Sequence, residues 1–388
     1  MVARVSWGQA LAWRMRRQLL DPVGTGTTAD VVRRLCGVQA QVGSTAELAV
    51  RVRRTASKPG DVARALSQGR LIKTWAMRGT LHLLTPEDGG AFLSLIAAGR
   101  SWDRPSWQSY FGITPAQLEA LRAVVREALD GTALTREELV GAVIARRGFG
   151  HVGDALRSGW GTLLKPLAWQ GDLCFGPNQG TRVTFMRPED ASSRWAGVPE
   201  PAEAASVAIS AYLRSHGPAT VNGFANWLSR GRTSKQQLRR WFDDVRPRLA
   251  EVEVDGERSF VLAKDLDDLV ATKPTRAVRP AAGLRPVRDG TGDGGPARDP
   301  GAPAIGGEHP ERLDPAGRHR RRRRARDVGA RRRRHQRRVG QRRRCGTPYG
   351  AAGGGSAPLD DRRAHAATRR AQPMINEPRL RLGQYSIG

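Results

Sequence analysis

The chain has 388 residues, with 65 Lys and Arg against 37 Asp and Glu and a formal net charge of +28, a balance that points to a polyanion such as nucleic acid as partner. Its three cysteines, Cys36, Cys174 and Cys345, stand far apart with no CxxC or Cys/His spacing, which argues against a zinc finger or a disulfide framework and fits a reducing cytoplasm. The first twenty residues carry Arg4, Arg14, Arg16 and Arg17, and no window approaches eighteen uninterrupted apolar residues, so neither a secretory signal nor a membrane span is expected.

In chain order, residues 6–20 set Trp7, Ala10, Leu11, Trp13 and Met15 at helical spacing. A second helix opens at a Thr27/Thr28 cap and runs through Val31, Val32, Leu35 and Val38. Two shorter helices are expected at 45–53 and 60–67, followed by extended runs at 71–77 and 80–84 on either side of Arg78-Gly79. Helices that close in a two-stranded hairpin form the pattern of a winged helix-turn-helix. The pattern recurs with helices at 115–129, 136–147 and 161–169 and strands at 173–176 and 182–186 around a Pro177-Asn178-Gln179-Gly180 turn. It recurs again with helices at 202–215, 221–229 and 235–245 and strands near 250–254 and 259–263 around Asp255-Gly256. The expected fold is therefore mainly α with small β-hairpins, arranged as three tandem winged helix-turn-helix units at 1–112, 113–200 and 201–272. Three such units suit a concave surface that embraces duplex DNA, although many winged helices pack only against proteins.

Residues 273–388 are a different kind of chain. They hold 29 basic and 10 acidic residues, against 36 and 27 in the first 272, and all ten Trp and all eight Phe lie before residue 261. With Tyr349 and Tyr385 as its aromatics, this segment has nothing to anchor a core and is expected to be disordered. The runs Arg321 to Arg324, Arg331 to Arg334 and Arg342 to Arg344 read as a nucleic-acid arm. The alternative is a shifted reading frame through a GC-rich gene, which yields Arg, Gly, Ala and Pro without selection. The shifted frame is the preferred reading, and it predicts that a neighbouring frame near codons 270–285 restores a hydrophobic, aromatic-containing sequence.

The candidate for chemistry is Gln39-Ala40-Gln41, bracketed by Gly37 and Gly43. In a helix, residues i and i+2 point about 200° apart, whereas in an extended segment they share a side. The two amides meet at one site only if the helix ends here, and glycine is the residue that most readily lets a backbone leave helical geometry. A neutral amide cannot act as a general base. Two of them can orient a water and stabilise a cationic sugar through their carbonyl oxygens, chemistry that suits a base which already leaves easily.

Residues 31–88 contain this motif and, some forty residues on, Trp75, Arg78, Gly79, Thr80 and His82. Further along stand Leu164-Lys165-Pro166, then 173–177 with 179–185, and His216-Gly217-Pro218-Ala219-Thr220. Over residues 5–272 this set of motifs resembles the winged-helix DNA glycosylases of the AlkZ/YcaQ type. The resemblance implies a monofunctional glycosylase that removes alkylated purines, N7 or N3 adducts and crosslinks among them, with Gln39 and Gln41 positioning water. It requires neither a metal nor an organic cofactor. It also implies a monomer acting on double-stranded DNA in the cytoplasm, at the nucleoid, with Arg53, Lys73, Arg78, Thr80, His82 and Lys165 as the expected DNA contacts. The competing function is a non-catalytic winged-helix DNA-binding protein. On their own residue types, His82 between Leu81 and Leu83 reads as a hydrogen-bonded structural histidine and Trp75 as core, and Asp154 and Glu189 receive no role. Members of that family continue into a β-rich, barrel-like C-terminal portion, which residues 273–388 do not match.

Overall fold

The computed structural model describes residues 2–275; the expectations for the basic segment fall, from residue 276 on, outside the described residues. A short strand β1 (Ala3–Val5) leads into α1 (Trp7–Arg17), α2 (Thr28–Arg34), β2 (Val38–Gln39), α3 (Gly43–Arg51) and α4 (Asp61–Ser67). The hairpin of β3 (Ile72–Trp75) and β4 (Leu81–Leu84) follows. Next come α5 (Pro86–Ala97), α6 (Pro105–Phe111), α7 (Pro115–Ala128), β5 (Leu134–Thr135), α8 (Arg136–Ile144), α9 (Gly153–Arg157), α10 (Leu164–Trp169), β6 (Cys174–Phe175), β7 (Thr184–Met186) and α11 (Pro188–Ala191). The described chain closes with α12 (Pro201–His216), α13 (Val221–Ser229), α14 (Lys235–Val245), β8 (Leu249–Val254), β9 (Glu257–Leu262) and α15 (Leu266–Val270). It is mainly helical with small sheets.

Local chemistry explains where the helices begin. Reciprocal side-chain-to-backbone bonds join Ser6 to Gln9, Thr27 to Asp30, Thr114 to Gln117 and Thr135 to Glu138 at the starts of α1, α2, α7 and α8. Each such cap satisfies two donors that the helix itself leaves unpaired and contributes about 1 kcal/mol. Helix α2 stops at Arg34 rather than running to Val38, because Cys36 and Gly37 both take positive φ, 59° and 100°, and the Gly37 N–H turns back to the Val32 carbonyl. A side chain at Gly37 would lie 2.7 Å from Leu84 Cδ2. The chain leaves this turn extended, as β2.

The hairpins do not all stand in separate sheets. The first two merge into one six-stranded sheet in the order β2-β4-β3-β6-β7-β5, joined by a single rung between Lys73 and Phe175. Trp75, Phe175 and Phe185 pack across that seam with centroids 4.7 to 5.9 Å apart, contacts that add about 0.5–1.5 kcal/mol each beyond the area buried. Trp75 is a core residue, 4% exposed. The third hairpin, β8 and β9, stands in its own sheet and takes β1 in parallel along its other edge. Helix α5, absent from the sequence expectations, packs with α12, α13 and α14 in one apolar cluster through Phe92, Tyr212, Phe224 and Trp227.

Candidate active site and nucleic-acid interface

Strand β2 is short but decides the site. Gln39 pairs with His82 on β4, and His82 pairs with Thr74 on β3, so these three residues share one face of the sheet. The Ala40 N–H donates to the Leu81 carbonyl at 2.7 Å, which continues the extended backbone one residue further. Gln39 and Gln41 are exposed on either side of a buried Ala40. They therefore project from one side of an extended segment.

The Leu81 N–H donates to Gln41 Oε1 at 3.4 Å. A backbone N–H requires an oxygen as its partner, so this bond orients the Gln41 amide. The second lone pair of that oxygen and both amide protons are left for other partners. His82 lies beside the pair, 3% exposed, with Nδ1 3.0 Å from the Thr80 carbonyl. Because a carbonyl only accepts, Nδ1 carries the proton. Burial pushes the His82 pKa down to about 4, the Thr80 bond opposing and the Arg78 charge reinforcing the shift. The ring is therefore neutral at pH 7, and its tautomer is fixed by the turn.

That turn contains Arg78 in the left-handed region at φ 58°, its Nη1 donating to the Trp227 carbonyl on α13 at 3.2 Å. The Thr80 hydroxyl donates to the Met77 carbonyl at 3.2 Å, which closes the turn and uses the one proton it has to offer a phosphate. Lys165 on α10 brings its ammonium to the same turn, 3.9 Å from where a Cβ on Gly79 would lie. Burial and then the charges of Arg232 and Arg230 hold its pKa below the usual lysine value. Gln39, Gln41, Arg78, Thr80, His82 and Lys165 thus gather around β4 and its turn.

Two of the expected DNA contacts are placed differently. Arg53 is 1% exposed and donates to the carbonyls of Gln18 at 3.0 Å and Ala49 at 2.7 Å. It is a scaffold residue pinning the end of α1 to α3, and a phosphate cannot reach it. Lys73 lies in the row Val38, Leu83, Lys73, Phe175, on the opposite face of the sheet from Gln39, with its ammonium 5.5 Å from the centre of the Phe175 ring. Asp154 and Glu189 form ion pairs with Arg157 and Arg126. Arg104, Arg230 and Arg232, which the sequence did not single out, also stand near this turn: Arg104 and Arg232 line one cavity with Arg78 and Gly79, and Arg230 acts on Lys165. The signal for Arg230 and Arg232 was Arg230-Gly231-Arg232 at the end of an expected helix.

The neutral buried histidines make acid stability a direct check. His216 is also buried, and burial, reinforced by Arg14, lowers its pKa to about 3. Unfolded histidine titrates near 6.5, so between that value and the folded values the unfolded chain binds protons that the folded chain does not. Their contribution to stability is complete above pH 6.5 and is lost as pH falls towards 4. Between pH 7 and pH 5 the expected loss is about 2 kcal/mol per histidine, and denaturant midpoints measured for His82→Gln should show a visibly flatter acid limb.

The chain has relatives among known proteins. The family described as DNA glycosylase AlkZ-like matches residues 32–289. The interstrand DNA cross-link repair glycosylase of Streptomyces sahachiroi is 48% identical over 282 residues, 72% of this chain and 76% of that protein. The solved structure of the Streptomyces sahachiroi DNA glycosylase AlkZ is 49% identical with a TM-score of 0.68, covering 70% of this chain and 73% of that one. The class is that of the DNA glycosylases, which hydrolyse the bond between a base and its sugar. Within it, the chain belongs to the AlkZ-like family.

Proposed function

We propose that the chain excises N7- or N3-alkylated purines from double-stranded DNA, interstrand crosslinks included, with Gln39 and Gln41 positioning the attacking water. The observation that carries this reading is the pair of exposed amides flanking buried Ala40, one of them oriented by Leu81. An alkylated purine carries a positive charge and leaves without a strong acid, so the protein has to place water and steady the cationic sugar. The carbonyl oxygens of Gln39 and Gln41 do both. A neutral His82 adds no positive charge beside that sugar.

In this reading the three groups of helices, each closed by a hairpin, act as winged helix-turn-helix units of one monomer that embraces the duplex at the nucleoid. Arg78 and Lys165 contact phosphate, with Lys73 available to a backbone on the other face. The cross-link activity in the name of the Streptomyces relative supports crosslinked purines as substrates. The test is release of N7-methylguanine from alkylated duplex by the purified chain, together with unhooking of a crosslinked duplex. Release at the spontaneous rate would sink the proposal and leave a DNA-binding protein without catalysis.

A further inference from the structure

The turn between β3 and β4 opens onto a cavity of about 150 Å³ lined by Arg78, Gly79, Arg104, Trp169, Ser229 and Arg232 among others. Small-molecule sites run to about 300–1,000 Å³, so this one admits a phosphate group but not a nucleobase with its sugar. Its walls come from distant parts of the chain: the β3–β4 turn, the start of α6, α10, and the loop after α13. Lys165 and Arg230 stand close enough to Arg232 that their charges act on one another, and Arg104 acts on Arg232 as well.

Arg104, Lys165, Arg230 and Arg232 face one another without a neutralising carboxylate among the described residues, although Arg232 Nε donates to the Ser229 carbonyl at 3.1 Å. Among the described residues, Arg33, Arg54, Arg122, Arg126, Arg146 and Arg187 sit on carboxylates, whereas no ion pair is made by Arg104, Lys165, Arg230 or Arg232. The deficit shows as a depression of the Lys165 and Arg232 pKa values, burial first and neighbouring cations next. The indole N–H of Trp169, which lines the same cavity, is buried without a hydrogen-bond partner. Mutual repulsion and an unused donor around a phosphate-sized space are together relieved by one kind of ligand, an anion with several acceptor oxygens.

We propose that Arg232, with Arg78 and Arg104 lining the same cavity and Lys165 and Arg230 beside it, clamps a phosphodiester of the strand whose modified nucleotide faces Gln39 and Gln41. The distance supports one strand for both. Leu81, which holds Gln41, is three residues from Arg78, at most about 10 Å along a strand, and duplex DNA advances about 3.4 Å per nucleotide of each strand. The clamped phosphate lies within about three nucleotides of the target. The clamp deepens the glycosylase reading by naming where the strand is held, and it rests on that reading for its orientation.

The experiment is the salt dependence of binding to an undamaged labelled duplex, with the full chain. Each lost phosphate contact lowers the slope of log K against log salt by about 1. Because a single phosphate is held, Arg230→Gln/Arg232→Gln should flatten it by about 1 and Lys165→Gln by no more than that, while Arg230→Lys/Arg232→Lys keeps it. Arg146→Gln/Arg157→Gln removes the same charge from exposed, ion-paired positions and should leave the slope nearly unchanged. Equal slopes in wild type and in the Arg230/Arg232 and Lys165 variants would overturn the clamp. So would inorganic phosphate that binds the wild type and its clamp variants equally well, or that displaces the duplex at micromolar concentration, the mark of a site for the free ion. Because binding is read without chemistry, a flattened slope with no base release keeps the clamp and removes the glycosylase reading, and base release with an unchanged slope does the reverse.

Discussion

Replacing Gln39 and Gln41 together by alanine should abolish release of N7-methylguanine, with Gln41→Ala alone reducing the single-turnover rate by about 10²–10³-fold. The two single effects should not multiply, because both amides act on one water and one developing charge. Duplex affinity and its salt slope should stay within about twofold of wild type, since neither residue carries a charge. Both side chains are exposed, so the variants keep their cores. Release persisting within tenfold of wild type in the double variant would mean that the water is placed elsewhere.

The second large effect concerns the seat of α5. Gly90 faces the backbone so closely that a Cβ there would lie 1.7 Å from the Gly197 carbonyl oxygen. Neither atom belongs to a flexible side chain, so Gly90→Ala must push α5 away from the segment before α12. Overpacking of a tight core costs about 1–3 kcal/mol and occasionally more, and a contact this short places Gly90→Ala at or above the top of that range. Gly141 in α8 offers the contrast, with nothing within 4 Å of its Cβ position. There Gly141→Ala should stabilise by about 0.5–1 kcal/mol through helix propensity. Denaturant titrations of the two variants should move in opposite directions. A Gly90→Ala protein as stable as wild type would show that the close approach is absent in solution.

What sequence could and could not reveal divides along physical lines. Helix starts were legible wherever a cap announced them, as at Thr27 with Asp30 and Thr114 with Gln117, because a cap is an interaction over three residues. The extended course of Gln39-Ala40-Gln41 was legible only as a condition, that the helix end before the motif, and the helix ends at Arg34, four residues before the expected Val38. Helix α5 left no period to find, since eight residues from Pro86 to Leu95 are buried on nearly every side. The joining of the first two hairpins rests on one rung between residues a hundred positions apart, and no local pattern encodes it. Arg53 shows the remaining limit. In the run Ala49-Val50-Arg51-Val52-Arg53-Arg54, composition cannot tell the arginine that reaches solvent from the one that ties two backbone carbonyls together inside. The Arg230-Gly231-Arg232 run stands in the sequence, but nothing local sets it beside Lys165 and Arg104, which arrive from elsewhere in the chain.

The parallel pairing of β1 with β8 sets a timetable for biosynthesis. Val5 and Trp13 share a cluster with Val252, Val254, Val261 and Leu269, so β1 and α1 wait for partners made about 250 residues later. At about 5–20 residues per second, some 250 residues take roughly 10–50 s to follow. Throughout that interval an apolar strand edge and an indole stand unprotected beside Arg14, Arg16 and Arg17, a stretch well suited to capture by a chaperone. The β1–α1 segment is thus a late-folding element, made long before the strands that complete its sheet.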